Sequence, residues 1–262
     1  MTFPQPLLSF PRLVTARFLR RYKRFLTDVR LEDGTEVTVH CPNPGRMSSI
    51  LPHAETVYLS DLRELPGKRK LDYRWELAKV RGELVVVNTQ LANRVAGRLL
   101  GLPAIREDLL LPLESPLRSE LRIPGRKSRF DFGLSDTSGR DYVIEVKQVS
   151  MRVADQGTTR WAAFPDAVTA RGKRHLEELA ELSRSGATAI LLYVVGRSDV
   201  NLLRPAYEVD PHYSEAFERA LEAGVTARAC RLSATLDGLY WDGWLSIRIG
   251  ATTPRASAPP PP

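Results

Sequence analysis

Ser128-Arg129-Phe130-Asp131-Phe132-Gly133 and Asp141-Tyr142-Val143-Ile144-Glu145-Val146-Lys147 are two runs rich in β-branched and aromatic residues, set about the turn-like Thr137-Ser138-Gly139-Arg140. Such a pair signals a β-hairpin. Asp131 lies in the first strand. Glu145 and Lys147 lie two apart in the second, so their side chains leave the same face. A strand this apolar belongs inside a sheet, where an unpaired carboxylate is costly. Three partly buried ionisable groups on neighbouring strands therefore need each other, or a cation.

Metal-assisted hydrolysis of a phosphodiester needs this trio. The Asp131 and Glu145 carboxylates with the Val146 carbonyl form a hard, all-oxygen metal site suited to Mg²⁺ or Mn²⁺. The metal acidifies a bound water and offsets charge building on the phosphate. Lys147, a compact point charge, can orient the water and hold the phosphate. The structural alternative is an ion-pair cluster on a sheet face, and the triplet by itself favours that alternative.

The chain has 262 residues, enough for one large domain or two ordinary ones. No apolar run approaches the roughly 20 residues that span a bilayer, so no membrane association is expected. Met1-Thr2-Phe3-Pro4-Gln5-Pro6 lacks the pattern of a signal peptide. Cys41 and Cys230 are expected as free buried thiols of a cytoplasmic protein. The four histidines show no metal-ligand spacing. No Gly-rich phosphate loop appears, which counts against a nucleotide cofactor.

Net charge is +7 and unevenly spread: residues 1–82 hold 15 Lys and Arg against 9 Asp and Glu, whereas the other 180 residues nearly balance. A basic first third suits nucleic acid, because backbone affinity comes mostly from neutralising phosphates. An anionic membrane surface fits the charge count as well.

In chain order, residues 1–11 are a proline-containing lead-in expected to be loosely ordered. Arg17-Phe18-Leu19-Arg20-Arg21-Tyr22-Lys23-Arg24-Phe25 interleaves five basic residues with three aromatics. That is the make-up of a single-strand binding surface, with bases stacked on rings. An ordinary strand, its aromatics buried, alternates in the same way. Strands follow over 25–30, 36–40, 56–59, 73–80 and 83–87, a count and spacing that suit a small five-stranded barrel. The proline-rich 41–47 is a loop in which Arg46 can meet a phosphate, and 66–70 is a basic loop. Asn88 is expected to cap a helix whose apolar face is Leu91, Val95 and Leu99. The stretch 109–123 ends in an edge strand. Arg126, Lys127 and Arg129 lead into Asp131, a cluster that would draw a polyanion toward the carboxylates. Residues 148–166 are expected to be a loop rimming the site. Thr169 caps a helix whose first turns carry Arg171, Lys173, Arg174 and His175, an unfavourable placement against the helix dipole that points to a bound anion. Residues 187–195 form a strand buried on both faces, and Asp210-Pro211 opens another helix. The tail over 252–262 is Pro-rich and expected to be disordered.

The hairpin resembles the PD-(D/E)XK nuclease core, with Phe130 where the motif has proline. A set of segments running in order across residues 15–235 is similar to the sugar fermentation stimulation protein A family. The segments are Phe25-Leu26-Thr27-Asp28-Val29, His40-Cys41-Pro42-Asn43-Pro44-Gly45-Arg46-Met47, Asn88-Thr89-Gln90-Leu91-Ala92-Asn93-Arg94, Ser128 to Phe132, Glu145-Val146-Lys147 and Phe164-Pro165-Asp166-Ala167-Val168-Thr169. Pro44 and Gln148 depart from the family's pattern. The resemblance implies fold class α+β or α/β: an OB-like (oligonucleotide-binding) five-stranded barrel over 1–85, then a PD-(D/E)XK nuclease-like α/β domain over 86–251. It also implies non-sequence-specific DNA binding. Expected nucleic-acid contacts are Arg17, Arg20, Arg21, Lys23, Arg24, Arg46, Arg126, Lys127, Arg129, Arg171, Lys173 and Arg174. Two functions follow. One is a Mg²⁺-dependent nuclease acting on DNA, single-stranded DNA and RNA being open alternatives. The other is a non-catalytic DNA-binding regulator of sugar-metabolism genes on a degenerate nuclease fold.

Overall fold

Strands that alternate apolar and polar residues close into a barrel at the N-terminal end of the chain. The computed structural model describes residues 5–67 and 70–250. The tail from Thr252, and Lys68 and Arg69 of the basic loop, lie outside the described residues. Strands β2 (Val14–Tyr22), β3 (Leu26–Leu31), β4 (Glu36–His40), β5 (Ala54–Asp61), β6 (Tyr73–Val80) and β7 (Glu83–Val86) run in the order β4-β3-β2-β5-β6-β7. A parallel pairing of His40 with Arg74 joins β4 to β6 and closes a ring of five strands. Val29, Val39, Leu59 and Trp75 fill its interior. The ring differs from the expected one in a single strand. Residues 83–87 pair outside β6, and Val14–Tyr22 takes the fifth place. Strand β7 serves the junction instead, where the Val86 amide donates to the Gly196 carbonyl at 2.8 Å.

Beyond the barrel lie α1 (Leu91–Leu99), α2 (Pro103–Asp108), β8 (Arg118–Arg122), β9 (Arg129–Ser135), β10 (Asp141–Val149), β11 (Trp161–Phe164), α3 (Ala170–Arg184), β12 (Thr188–Val195), β13 (Leu202–Pro205), α4 (Pro211–Glu222), β14 (Thr226–Ala234) and β15 (Gly238–Ile247). One mixed sheet runs β11-β13-β15-β14-β12-β10-β9-β8, its centre formed by parallel β10, β12 and β14. Strand β12 is buried from Ala189 to Val195 because both of its faces are covered. Leu91, Val95 and Leu99 of α1 pack with Ile144, Val146 and Leu192 on one face. Leu176 and Leu179 of α3 and Phe217 of α4 pack with Val143, Leu191 and Tyr193 on the other. No helix among the described residues is long and apolar enough to cross a membrane. Cys41 and Cys230 are free and buried.

Three local expectations are corrected. The lead-in contains a short strand, β1 (Leu8–Ser9), paired antiparallel with Leu239 and Gly238 of β15, and Leu7 and Leu8 are buried. Residues 161–164 form a strand rather than a loop, because Trp161, Ala162 and Ala163 are buried and pair with β13. Asn88 does not cap α1. Its Nδ2 donates to Glu76 Oε2 at 2.7 Å and its Oδ1 accepts from the Gln90 amide at 3.0 Å.

Candidate functional site

The predicted hairpin forms, with Tyr142 opposite Leu134 and Ile144 opposite Phe132. Its ladder ends there. Beyond that point β9 separates from β10, and a side chain takes the place of the next backbone partner: Asp131 Oδ2 accepts from the Val146 amide at 2.7 Å. Asp131 Oδ1 accepts from Asn93 Nδ2 of α1 at 2.6 Å. Glu145 is 3% exposed. Its Oε1 accepts from Lys147 Nζ, as the two-residue spacing predicts, and from His175 Nδ1 of α3. Its Oε2 is buried with no hydrogen-bond partner.

These groups line a cavity of about 520 Å³ between the barrel and the second domain. Asn93, Asp131, Glu145, Val146 and Lys147 line it, together with Arg171 of α3 and Arg24 of the barrel. The segment from Ala163 to Thr169 forms part of the rim, as expected of this region. Gly45 allows the barrel to approach that rim. A Cβ there would lie 2.0 Å from the Asp166 carboxylate, which accepts from the Met47 amide at 3.3 Å. Gln148, one of the two family departures, turns away from Lys147 and donates to the Val86 carbonyl at 2.9 Å.

Burial, and then the charge of Glu145, push the Asp131 carboxyl above its ordinary range. Burial acts in the same direction on Glu145, but hydrogen bonds from His175 and Lys147 and the lysine charge outweigh it and hold that carboxyl low. The floor thus has a shortage of positive charge at Asp131 and an unsatisfied buried oxygen at Glu145. A divalent cation meets both needs. Among the described residues no group of three or more His, Cys, Asp or Glu side chains gathers at one metal position. A hard cation here would therefore complete its shell with the Val146 carbonyl, water and substrate oxygens, as Mg²⁺ commonly does.

Residues 19–87 match the family described as the SfsA N-terminal OB domain, and residues 90–238 match the sugar fermentation stimulation protein RE domain. The chain belongs to the sugar fermentation stimulation protein family. It is 39% identical to a sugar fermentation stimulation protein homolog of Magnetococcus marinus over 95% of this chain and 100% of that one. It is 43% identical to a homolog of Thioalkalivibrio sulfidiphilus over 91% and 97%. Among solved structures it is similar to Pyrococcus furiosus SfsA in complex with Ca²⁺, with a TM-score of 0.77 and 27% identity over 94% of this chain and all of the other.

The basic residues are dispersed more widely than their order in the chain suggests. Arg24 and Arg171 alone among the twelve line the cavity. Arg20 pairs with Asp28 at 2.8 Å, Arg129 with Glu120 at 2.5 Å, Lys173 with Glu177 at 3.6 Å, and Arg126 with Glu181. Arg21 holds the Arg24 and Asn43 carbonyls, bracing the β2–β3 turn against the loop over 41–47. Lys23, Arg46, Lys127 and Arg174 are exposed. Arg17 lies in a separate depression with Arg30 and His53. Of the three aromatics, Phe18 packs on Trp75 at a centroid distance of 5.6 Å, and the Tyr22 hydroxyl is held by Asp28. Phe25, 42% exposed beside Arg24, is the one free to stack on a base.

Two contributors carry a weaker signal in the sequence. Asn93 can point at the site, but capping or solvation explains such a residue more often, and His175 is one of four basic residues at a helix start. Their signal is periodicity: Asn93 lies between apolar α1 positions, and His175 lies three residues before Glu178 and one before Leu176 on the buried side of α3.

Proposed function

We propose that this protein is a divalent-metal-dependent nuclease that hydrolyses phosphodiester bonds in DNA, without sequence specificity, in the cytoplasm. The observation that carries this reading is the buried, unpartnered Glu145 Oε2 beside Asp131, on the floor of a cavity lined by arginines from both domains. Asp131, Glu145 and the Val146 carbonyl would hold Mg²⁺ or Mn²⁺. The Ca²⁺ complex of the Pyrococcus furiosus relative supports a divalent site in this fold. When bound, the cation supplies an acidified water and offsets charge on the phosphate. Lys147, 14% exposed and anchored on Glu145, orients the nucleophilic water and the scissile phosphate. Asn93 holds Asp131 in place. Arg24 and Arg171 grip the phosphates, and Phe25 stacks a base on the barrel side. This arrangement favours a single-stranded or locally distorted segment.

Calorimetric titration of Mg²⁺ and Mn²⁺ into the wild type and Glu145→Gln, with cleavage of labelled single- and double-stranded DNA, tests the reading. Metal uptake lost in the variant, together with metal-dependent cleavage by the wild type, is expected. Salt-sensitive DNA binding without metal uptake or cleavage would instead support the non-catalytic regulator.

A further inference from the structure

Arg171 and His175 stand one turn apart on α3, and the nuclease reading assigns His175 no role. His175 is 2% exposed and packs at a centroid distance of 6.0 Å from the fully buried ring of Phe130. Its two ring nitrogens face different partners. Arg171 Nε donates to Nε2 at 3.3 Å, while Nδ1 meets Glu145 Oε1. A guanidinium can only donate, so Nε2 is the bare nitrogen, and the ring proton on Nδ1 is given to Glu145. With Lys147 as second donor, Oε1 is saturated, and Oε2 is the oxygen left for a cation. At the other end, the terminal nitrogens of Arg171 have no partner among the described residues, and the residue is exposed in the cavity. Those nitrogens form the fork that matches a phosphate, and engaging them leaves Nε on the histidine.

The first turn of α3 is held firmly. Thr169 Oγ1 accepts from the Gly172 amide at 2.9 Å, and the Thr169 amide donates to Asp210 at 2.8 Å. Gly172 sits so close to its surroundings that a Cβ would lie 2.8 Å from the Thr169 methyl and 3.1 Å from the Tyr213 ring. The backbone that carries Arg171 and His175 is therefore fixed against α4.

We infer that Arg171 and His175 are positioning residues that transmit a phosphate contact to Glu145, so that nucleic acid and divalent cation bind this site cooperatively. The inference rests on the nuclease reading and deepens it. By linkage, DNA must raise metal affinity by the factor by which metal raises DNA affinity. Phosphate oxygens on the cation couple the two ligands in any case, but a histidine that merely filled the core would add nothing to that coupling.

The test is calorimetric titration of Ca²⁺ into the full chain, with and without a saturating single-stranded oligodeoxynucleotide. In the wild type the oligonucleotide is expected to raise Ca²⁺ affinity roughly 5- to 150-fold, the usual range of such couplings. Arg171→Ala should remove the part of that gain that passes through His175 and leave the part due to phosphate oxygens on the cation. His175→Phe, which keeps a ring against Phe130 but neither hydrogen bond, should lower Ca²⁺ affinity about 10- to 100-fold. His175→Gln, whose amide can donate to Glu145 and accept from Arg171, should restore part of it. A wild type without the gain, an Arg171→Ala protein that keeps all of it, or a His175→Phe protein that binds Ca²⁺ like the wild type overturns the inference alone. Ca²⁺ uptake that is absent, or indifferent to Glu145→Gln, overturns the nuclease reading and this inference together.

Discussion

The two most deeply buried glutamates among the described residues, one at the barrel junction and one at the hairpin, are satisfied differently. Glu76, 1% exposed, accepts at Oε1 from Ser60 at 2.7 Å and Arg74 at 2.6 Å, and at Oε2 from Asn88 at 2.7 Å. Its backbone carbonyl also receives the Val87 and Asn88 amides, so it fastens the end of the barrel to the start of α1. Glu145 also has two donors on one oxygen, Lys147 and His175, but none on the other. Burial alone does not mark a site, since both carboxylates are buried. What separates them is an unused buried carboxylate oxygen on Glu145, set beside a second carboxylate, Asp131, in a cavity lining.

Removing each group in turn should separate the two roles. Glu76→Ala leaves Arg74, Ser60 and Asn88 without their acceptor and is expected to cost about 3–5 kcal/mol of stability, read as a fall in the urea midpoint at constant slope. Glu145→Gln should act in the opposite manner. Cleavage should fall about a thousand-fold, roughly 4 kcal/mol of transition-state stabilisation, while the same unfolding curve moves by no more than about 1 kcal/mol. If Glu145→Gln proves the more destabilising change, the contrast between a finished and an unfinished cluster collapses.

Metal addition sharpens the contrast further. Mn²⁺ at a hundred times its dissociation constant should stabilise the wild type by about 2.7 kcal/mol and leave Glu145→Gln unaffected. A stabilisation of equal size in the variant would place the cation elsewhere.

The smallest effect concerns pH. Burial and the Glu145 charge raise the Asp131 carboxyl in the folded state. Folding therefore favours its protonated form. That contribution is complete below the ordinary aspartate value of about 3.9 and is lost as pH rises through the raised folded value. Glu145, held low, has the opposite sign: its contribution is present above its unfolded value and lost as pH falls through the lowered one. Metal-free Asp131→Asn should accordingly gain stability relative to the wild type as pH climbs from the acid range toward neutrality. Denaturation midpoints with chelator present, differing by a constant amount at every pH, would contradict this.

The trio of Asp131, Glu145 and Lys147 was legible because a strand has a period of two, and neighbouring runs about a turn pair with each other. The barrel, the buried strand over 188–195 and the Thr169 and Asp210 caps were legible from equally local signals. His175 was not, because periodicity reports that a helix has a buried face and not what lies beneath it. Here that is Glu145, 30 residues away in sequence. The same limit hid the fate of Phe18 and Tyr22: simple alternation puts both on one side of β2, but a register shift between Phe18 and Arg20 separates them, so that Phe18 packs on Trp75 while the Tyr22 hydroxyl bonds to Asp28. Arginines crowded together in sequence likewise proved to be spent on nearby carboxylates, since exposed ion pairs form wherever chain geometry allows them.

The pairing of Leu8 with Leu239 gives the chain a clasp. Some 230 residues leave the ribosome between the two partners, and the barrel is among them. Strand β1 therefore pairs only after the barrel and β15 have been made. A chain that stops short of β15 leaves Leu7 and Leu8 without the strand that pairs with them, an apolar segment open to water.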